Sequence, residues 1–189
     1  YGDERKTEIA GDVDDFDMED LISEEDVTVM ITHEGYTKRL PLSTYRKQNR
    51  GGKGVTGAGM KEGDFVENLF IASTHDYILF FTDLGKVYWL KVYDVPHFGR
   101  VAKGRAIVNL LNLEKDENVT SMIPVREFDD RNLVMATKNG IIKKTILSAF
   151  GRPKKGGIIA ILLDSGDKLI GVKLAQGGQE IVLGTENGK

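Results

Sequence analysis

Tyr77-Ile78-Leu79-Phe80-Phe81-Thr82, followed by Asp83-Leu84-Gly85, decides the fold because the chain repeats its pattern. Val27-Thr28-Val29-Met30-Ile31-Thr32 precedes His33-Glu34-Gly35, and Leu133-Val134-Met135-Ala136-Thr137 precedes Lys138-Asn139-Gly140. A fourth copy begins at Ile181-Val182-Leu183-Gly184-Thr185 before Glu186-Asn187-Gly188. The turn glycines stand at 35, 85, 140 and 188. Each copy reads as an apolar strand, a threonine, a tight glycine turn and a second strand with basic residues. Asn139-Gly140 and Asn187-Gly188 are the strongest local hairpin signals and predict a two-residue turn with positive φ at both positions.

The similarity continues beyond the hairpin. Arg50-Gly51-Gly52-Lys53-Gly54, Arg100-Val101-Ala102-Lys103-Gly104 and Arg152-Pro153-Lys154-Lys155-Gly156 share the spacing Arg-x-x-Lys-Gly. Two more extended runs follow each loop, giving four strands per ~50 residues, the size of a propeller blade. Consecutive apolar residues in the strands suit sheets stacked on neighbouring blades. The expectation is an all-β, propeller-like array of four-stranded blades. Its segments are an acidic linker over 1–26, blades over 27–74, 77–125 and 131–176, and the start of a fourth over 180–189. Lys189 falls just after a hairpin turn, so the chain is expected to be a piece of a longer array.

Charge divides along the same lines. The 189 residues hold 26 basic and 29 acidic groups, a net charge of -3. Residues 1–35 contain 2 basic and 13 acidic groups, a net of -11, which leaves +8 on residues 36–189. An acidic arm on a basic domain points to an anionic partner. The arm could compete with that partner for the basic surface, or serve only as a soluble spacer. There is no cysteine, which excludes disulfides and thiol chemistry and suits a cytoplasmic protein. No apolar run reaches the ~20 residues of a membrane span.

Other motifs fail on context. Gly52, Gly54 and Gly57 spell G-x-G-x-x-G, but polar residues flank them where a dinucleotide site needs a strand and a helix. A calcium loop starting at Asp12 would need Gly and Glu where Asp17 and Ser23 stand. His33, His75 and His97 lack ligand spacing and read as turn residues. Asn118-Val119-Thr120 is a chance glycosylation match. No catalytic or metal-binding residue is expected. What remains is the recurring basic pair, which would set positive charge around a curved perimeter, suited to phosphates along a bent polyanion. No periodic aromatic platform accompanies it, which favours duplex over single strands. Trp89, Tyr88, Phe80 and Phe81 are expected in the core.

Gln48-Asn49-Arg50-Gly51-Gly52-Lys53-Gly54 resembles the seven-residue box of the DNA gyrase A subunit family, with Asn49 where Arg is usual. Tyr1-Gly2-Asp3-Glu4-Arg5-Lys6-Thr7-Glu8-Ile9 resembles the end of that subunit's breakage-reunion half. Met18-Glu19-Asp20-Leu21-Ile22 and residues 32–39 resemble its linker and first blade. The resemblance implies a C-terminal β-pinwheel, six-bladed when entire, with strands exchanged between blades, that wraps duplex DNA. It implies the B subunit together with a second A subunit as partners in an A2B2 tetramer, ATP-dependent negative supercoiling and a bacterial, nucleoid-associated setting. ATP and Mg²⁺ sites are implied for the B subunit, with no cofactor for this chain. The alternatives are the corresponding domain of topoisomerase IV, whose box is degenerate or absent, and a propeller-like protein scaffold. The expected DNA contacts are Lys38, Arg39, Arg46, Lys47, Gln48, Arg50, Gly51, Gly52, Lys53, Gly54, Lys86, Arg100, Lys103, Arg105, Lys143, Lys144, Arg152, Lys154 and Lys155.

Overall fold

The computed structural model describes residues 18–44 and 62–184, so the box at 48–54 lies outside the described residues. Eleven strands in three antiparallel sheets make up the described chain. They are β1 (Asp26–Thr32), β2 (Tyr36–Pro41), β3 (Val66–Ser73), β4 (Tyr77–Thr82), β5 (Lys86–Lys91) and β6 (Arg105–Ala106). The rest are β7 (Val119–Val125), β8 (Asn132–Thr137), β9 (Ile142–Ile146), β10 (Ile158–Ile159) and β11 (Leu169–Ala175). The sheets run β3-β1-β2-β6, β10-β5-β4-β7 and β11-β8-β9.

The apolar runs form the inner strands β1, β4 and β8, which have neighbours on both sides. All three are largely buried, and β4 feeds a core on each face because its sheet lies between the other two. One core gathers Val29, Ile31, Ile78 and Phe80 between the first two sheets, and a second gathers Leu79, Phe81, Leu133 and Met135 between the next two. Phe80, Phe81 and Tyr88 are buried as expected, and Trp89 packs at the core margin with Nε1 donating to Phe150 O at 2.8 Å.

The hairpin turns differ from the two-residue form expected at Asn139-Gly140. Gly140 has φ +88°, but Asp116 is the only described non-glycine residue with positive φ. Gly140 N donates to Thr137 O at 3.0 Å and Thr137 N to Ile141 O at 2.9 Å, closing a three-residue loop with a left-handed glycine. The recurring threonine has a matching role: its Oγ1 accepts the N–H after the turn glycine, from Tyr36 at 3.2 Å and from Ile141 at 3.1 Å.

The blades exchange strands, as the resemblance implies. They are not closed stretches of sequence, because β6 pairs with β2 of the preceding sheet and β10 pairs with β5. Each returning segment completes its predecessor's outer edge. The described third sheet contains only three strands, and residues 180–184, expected to open a fourth blade, are exposed and without regular structure.

The opposite edges converge. β7 lies against β11, Val172 N donating to Ser121 Oγ at 2.9 Å. Residues of β3, β7 and β11, among them Asn68, Ser121 and Lys173, line one polar cavity of about 240 Å³. The blades therefore meet along β3, β7 and β11 and fan outward toward β6 and β10. The Arg-x-x-Lys-Gly loops at 100–104 and 152–156 precede those outer strands and lie on the rim.

Candidate nucleic-acid interface

The rim loops are held by glycine. A Cβ on Gly104, whose φ is +94°, would stand 2.6 Å from Thr37 O, and one on Gly157, φ +68°, would stand 2.8 Å from Tyr88 Cε1. In each case a glycine lets the returning loop lie against the previous blade. The pairings Thr37 with Arg105 and Val87 with Ile158 make Gly157 the counterpart of Gly104. Spacing alone pointed to Gly156, so the third loop carries its Arg-x-x-Lys-Gly motif one residue out of step with the second.

The expected contact residues divide into three groups. Arg105, Lys144, Arg152, Lys154 and Lys155 are exposed, and none has an ion pair or side-chain hydrogen bond among the described residues. These five give the rim open positive charge. Lys103 is half-buried with Nζ 4.4 Å from the Tyr36 ring centroid, a cation–π contact that leaves other N–H groups available.

The second group is engaged internally. Lys38 is 1% exposed, with Nζ donating to Arg100 O at 2.7 Å and Ala102 O at 2.6 Å. It is an internal residue and not a surface contact, because those two carbonyls take its ammonium inward. Burial pushes that ammonium below the ordinary lysine range. Arg39 donates from Nε to Val95 O at 2.7 Å, Lys143 from Nζ to Ala160 O at 2.6 Å, and Lys86 is paired with Glu114. Arg100, though not engaged, is half-buried, and its Nε is buried with no hydrogen-bond partner among the described residues. The third group, Arg46, Lys47, Gln48, Arg50, Gly51, Gly52, Lys53 and Gly54, lies outside the described residues.

Sequence reasoning passed over an acidic set. Asp64, Glu117 and Asp167 stand two residues ahead of β3, β7 and β11. Asp64 Oδ1 accepts Glu34 N at 3.0 Å and Asp167 Oδ1 accepts Asn139 N at 3.0 Å, so each carboxylate caps a hairpin turn. Glu117 accepts from Thr82 Oγ1 at 2.6 Å and Tyr88 OH at 2.9 Å, and burial together with that carboxylate pushes the Tyr88 phenol up. The signal was an acid at a constant offset before the last strand, obscured by the Asp-to-Glu change.

The acidic arm is also more than a polar stretch. Met18–Leu21 forms a 3-10 turn whose Glu19 pairs with Lys91 at 2.7 Å. His75 Nε2 lies 2.7 Å from Ile22 O, Ser73 Oγ donates to Glu24 Oε1 at 3.2 Å, and Thr74 Oγ1 donates to Ser23 O at 2.8 Å. Its end thus docks on the first two blades, through cations that are not those of the rim loops. Among the described residues no group of acidic or histidine side chains is arranged to hold a metal, and no helix is long and apolar enough to cross a membrane.

Comparison with known proteins matches this repeat. The model of the DNA gyrase C-terminal domain, beta-propeller, matches residues 26–73, 76–126 and 131–176. The DNA gyrase A subunit of Halalkalibacterium halodurans is 51% identical over the whole chain, and that of Salmonella typhimurium 50% identical. The chain spans 23% and 22% of those relatives, respectively. A solved C-terminal domain of DNA topoisomerase IV superposes with a TM-score of 0.71 at 28% identity, covering 82% of this chain and 47% of that one. A DNA gyrase A C-terminal domain gives 0.59 at 27% identity, covering 81% and 49%. The three matched segments and their strand order place the chain in the DNA gyrase C-terminal domain family, of beta-propeller fold.

Proposed function

We propose that this chain binds duplex DNA along its outer rim and wraps it, as part of a gyrase A subunit. The observation that carries the reading is the open charge of Arg105, Lys144, Arg152, Lys154 and Lys155 on the edge where the blades fan apart. Phosphates following that edge meet cations on successive blades, and exposed cations release counterions from DNA at little cost to the fold. Smooth bending of a 20–30 bp segment costs on the order of 1–6 kcal/mol, which several loops share more readily than one. Binding of this kind reads backbone and deformability, with little base readout.

In the whole enzyme, two A and two B subunits would couple this wrap to ATP-dependent negative supercoiling in the bacterial cytoplasm, with ATP and Mg²⁺ held through the B subunit. The box at Gln48–Gly54 and about 50% identity to gyrase A subunits support this over topoisomerase IV. The test is topoisomer analysis of relaxed plasmid with full A and B subunits, comparing the native box with an alanine-substituted one. Loss of supercoiling with relaxation retained is the expected result. Supercoiling unchanged by the substitution would count against the reading.

A further inference from the structure

Residues 95–106 of the second repeat run along the outer edge of β2 in the first. Arg39 N donates to Pro96 O at 3.1 Å and Phe98 N to Arg39 O at 3.4 Å, pinning one end. The β6 pairing and Ile107 N to Gly35 O at 2.8 Å pin the other. Between the pins, residues 99–104 arch away from the strand, closed by Ala102 N to Gly99 O at 3.0 Å. Lys38 stands between the pins, and its side chain fills the arch from inside, its ammonium on the carbonyls of Arg100 and Ala102.

That ammonium is almost fully desolvated, and no carboxylate pairs with it among the described residues. Two carbonyl dipoles offset only part of the cost of burying a charge. Arg100, on the same arch, has a buried Nε with no hydrogen-bond partner among the described residues, and Lys103 sits over the Tyr36 ring. Cations from two blades therefore converge on one arch, with no carboxylate paired to Lys38, Arg100 or Lys103 among the described residues. An anion on its outer surface would feel Lys38 through low-dielectric material, where attraction is stronger than through water.

We propose that Lys38, Arg100 and Lys103 form a composite phosphodiester site across two blades, in which Lys38 shapes the arch and supplies charge from within. Lys38 is a positioning residue here, since its ammonium points to the arch and not to solvent. This inference rests on the duplex-DNA reading. It adds that phosphate binding at the second rim loop depends on a residue of the first blade, so docking of the two blades and grip on DNA are linked.

The test uses a mixed-sequence linear duplex with the full-length protein, affinity being measured across a salt series and thermal unfolding in parallel. Lys38→Met is expected to weaken binding about tenfold at low salt and make the log–log slope shallower by about 0.9, the value of one phosphate. Its unfolding temperature should fall modestly, because the carbonyls of Arg100 and Ala102 lose their donor. Combined with Arg100→Gln and Lys103→Gln, its effect should be less than additive. Gly104→Ala provides a second route that alters no charge, pushing the arch off Lys38, and should weaken binding too.

An unchanged salt slope in Lys38→Met, whatever its unfolding temperature, would mark a purely structural lysine and overturn the proposal. If that variant fails to fold, Gly104→Ala decides, and unchanged affinity there overturns it. If Arg100→Gln with Lys103→Gln flattens the slope while the other two variants do not, the DNA reading stands and this inference falls. If the unsubstituted protein binds without salt dependence, both fall.

Discussion

Lys168 of the third blade donates to Asp83 of the second, Nζ to Oδ2 at 2.7 Å. Asp83 sits in a hairpin turn, yet its side chain is only 8% exposed. Its Oδ1 accepts Asn118 N at 2.9 Å, and its carbonyl accepts Leu169 N at 3.1 Å. One turn residue thus ties its own sheet to the next through both backbone and side chain.

That contact makes blade docking sensitive to acid. Burial opposes ionisation of Asp83, but hydrogen bonds from Lys168 and Asn118 outweigh it and hold the carboxyl below the usual aspartate range. A depressed carboxyl contributes stability above its unfolded pKa, and that contribution is lost as pH falls through the folded value. Urea unfolding from pH 7 to pH 3 should show the native chain losing its advantage over Asp83→Asn in the acid limb. Lys168→Met should cost only about 1 kcal/mol at pH 7, since that lysine is 55% exposed.

Two turn glycines separate backbone strain from close approach. Gly140 has positive φ with nothing within 4 Å of a built Cβ, so Gly140→Ala should cost about 1–2 kcal/mol. Gly85, φ +74°, would place its Cβ 2.5 Å from Ile161 O of the returning segment. Gly85→Ala should therefore cost about 2 kcal/mol more, from overpacking against backbone. Equal thermal shifts for the two would refute the distinction.

Rim cations should not be equivalent in DNA binding. Neutralising Arg105, Lys144 or Arg152, which are open, should each make the salt slope shallower by about 0.9. Lys86→Gln should leave it nearly unchanged, because Glu114 already pairs with that ammonium. Titration with duplex at four salt concentrations checks the ranking, and a Lys86 effect matching Arg152 would contradict it.

The docked arm yields a separate expectation. Glu19→Gln weakens the pairing with Lys91 and should raise amide exchange across residues 18–25. The duplex salt slope should not change, because Lys91 and Arg126, which hold Glu19 and Glu24, are not in the rim loops. A steeper slope in the variant would instead show the arm's end competing with DNA.

Much of the architecture was legible locally. Threonine, glycine and apolar runs recur because the first and third hairpins use the same hydroxyl and all three use a left-handed glycine and a buried inner strand, demands that act between near neighbours in the chain. Strand exchange was not legible from the spacing, since β6 and β10 have two residues each and pair across the blade boundary. Two-residue strands leave almost no periodicity to read. The arm's docking was hidden for a related reason: Glu19 meets Lys91 across 72 residues, and composition marks charge without marking partners.

Lys38 and Lys144 show where the division falls. By itself the amino-acid order determined the repeat, the all-β class, the acidic arm and the recurrence of basic residues, because these are properties of neighbours along the chain. Only the tertiary structure decided which cations face solvent. Lys144 is left open on β9, while Lys38, equally basic in sequence, is enclosed by a loop that folds back from the next repeat. A lysine's availability to phosphate depends on what covers it, and here the cover comes from residues more than sixty positions away.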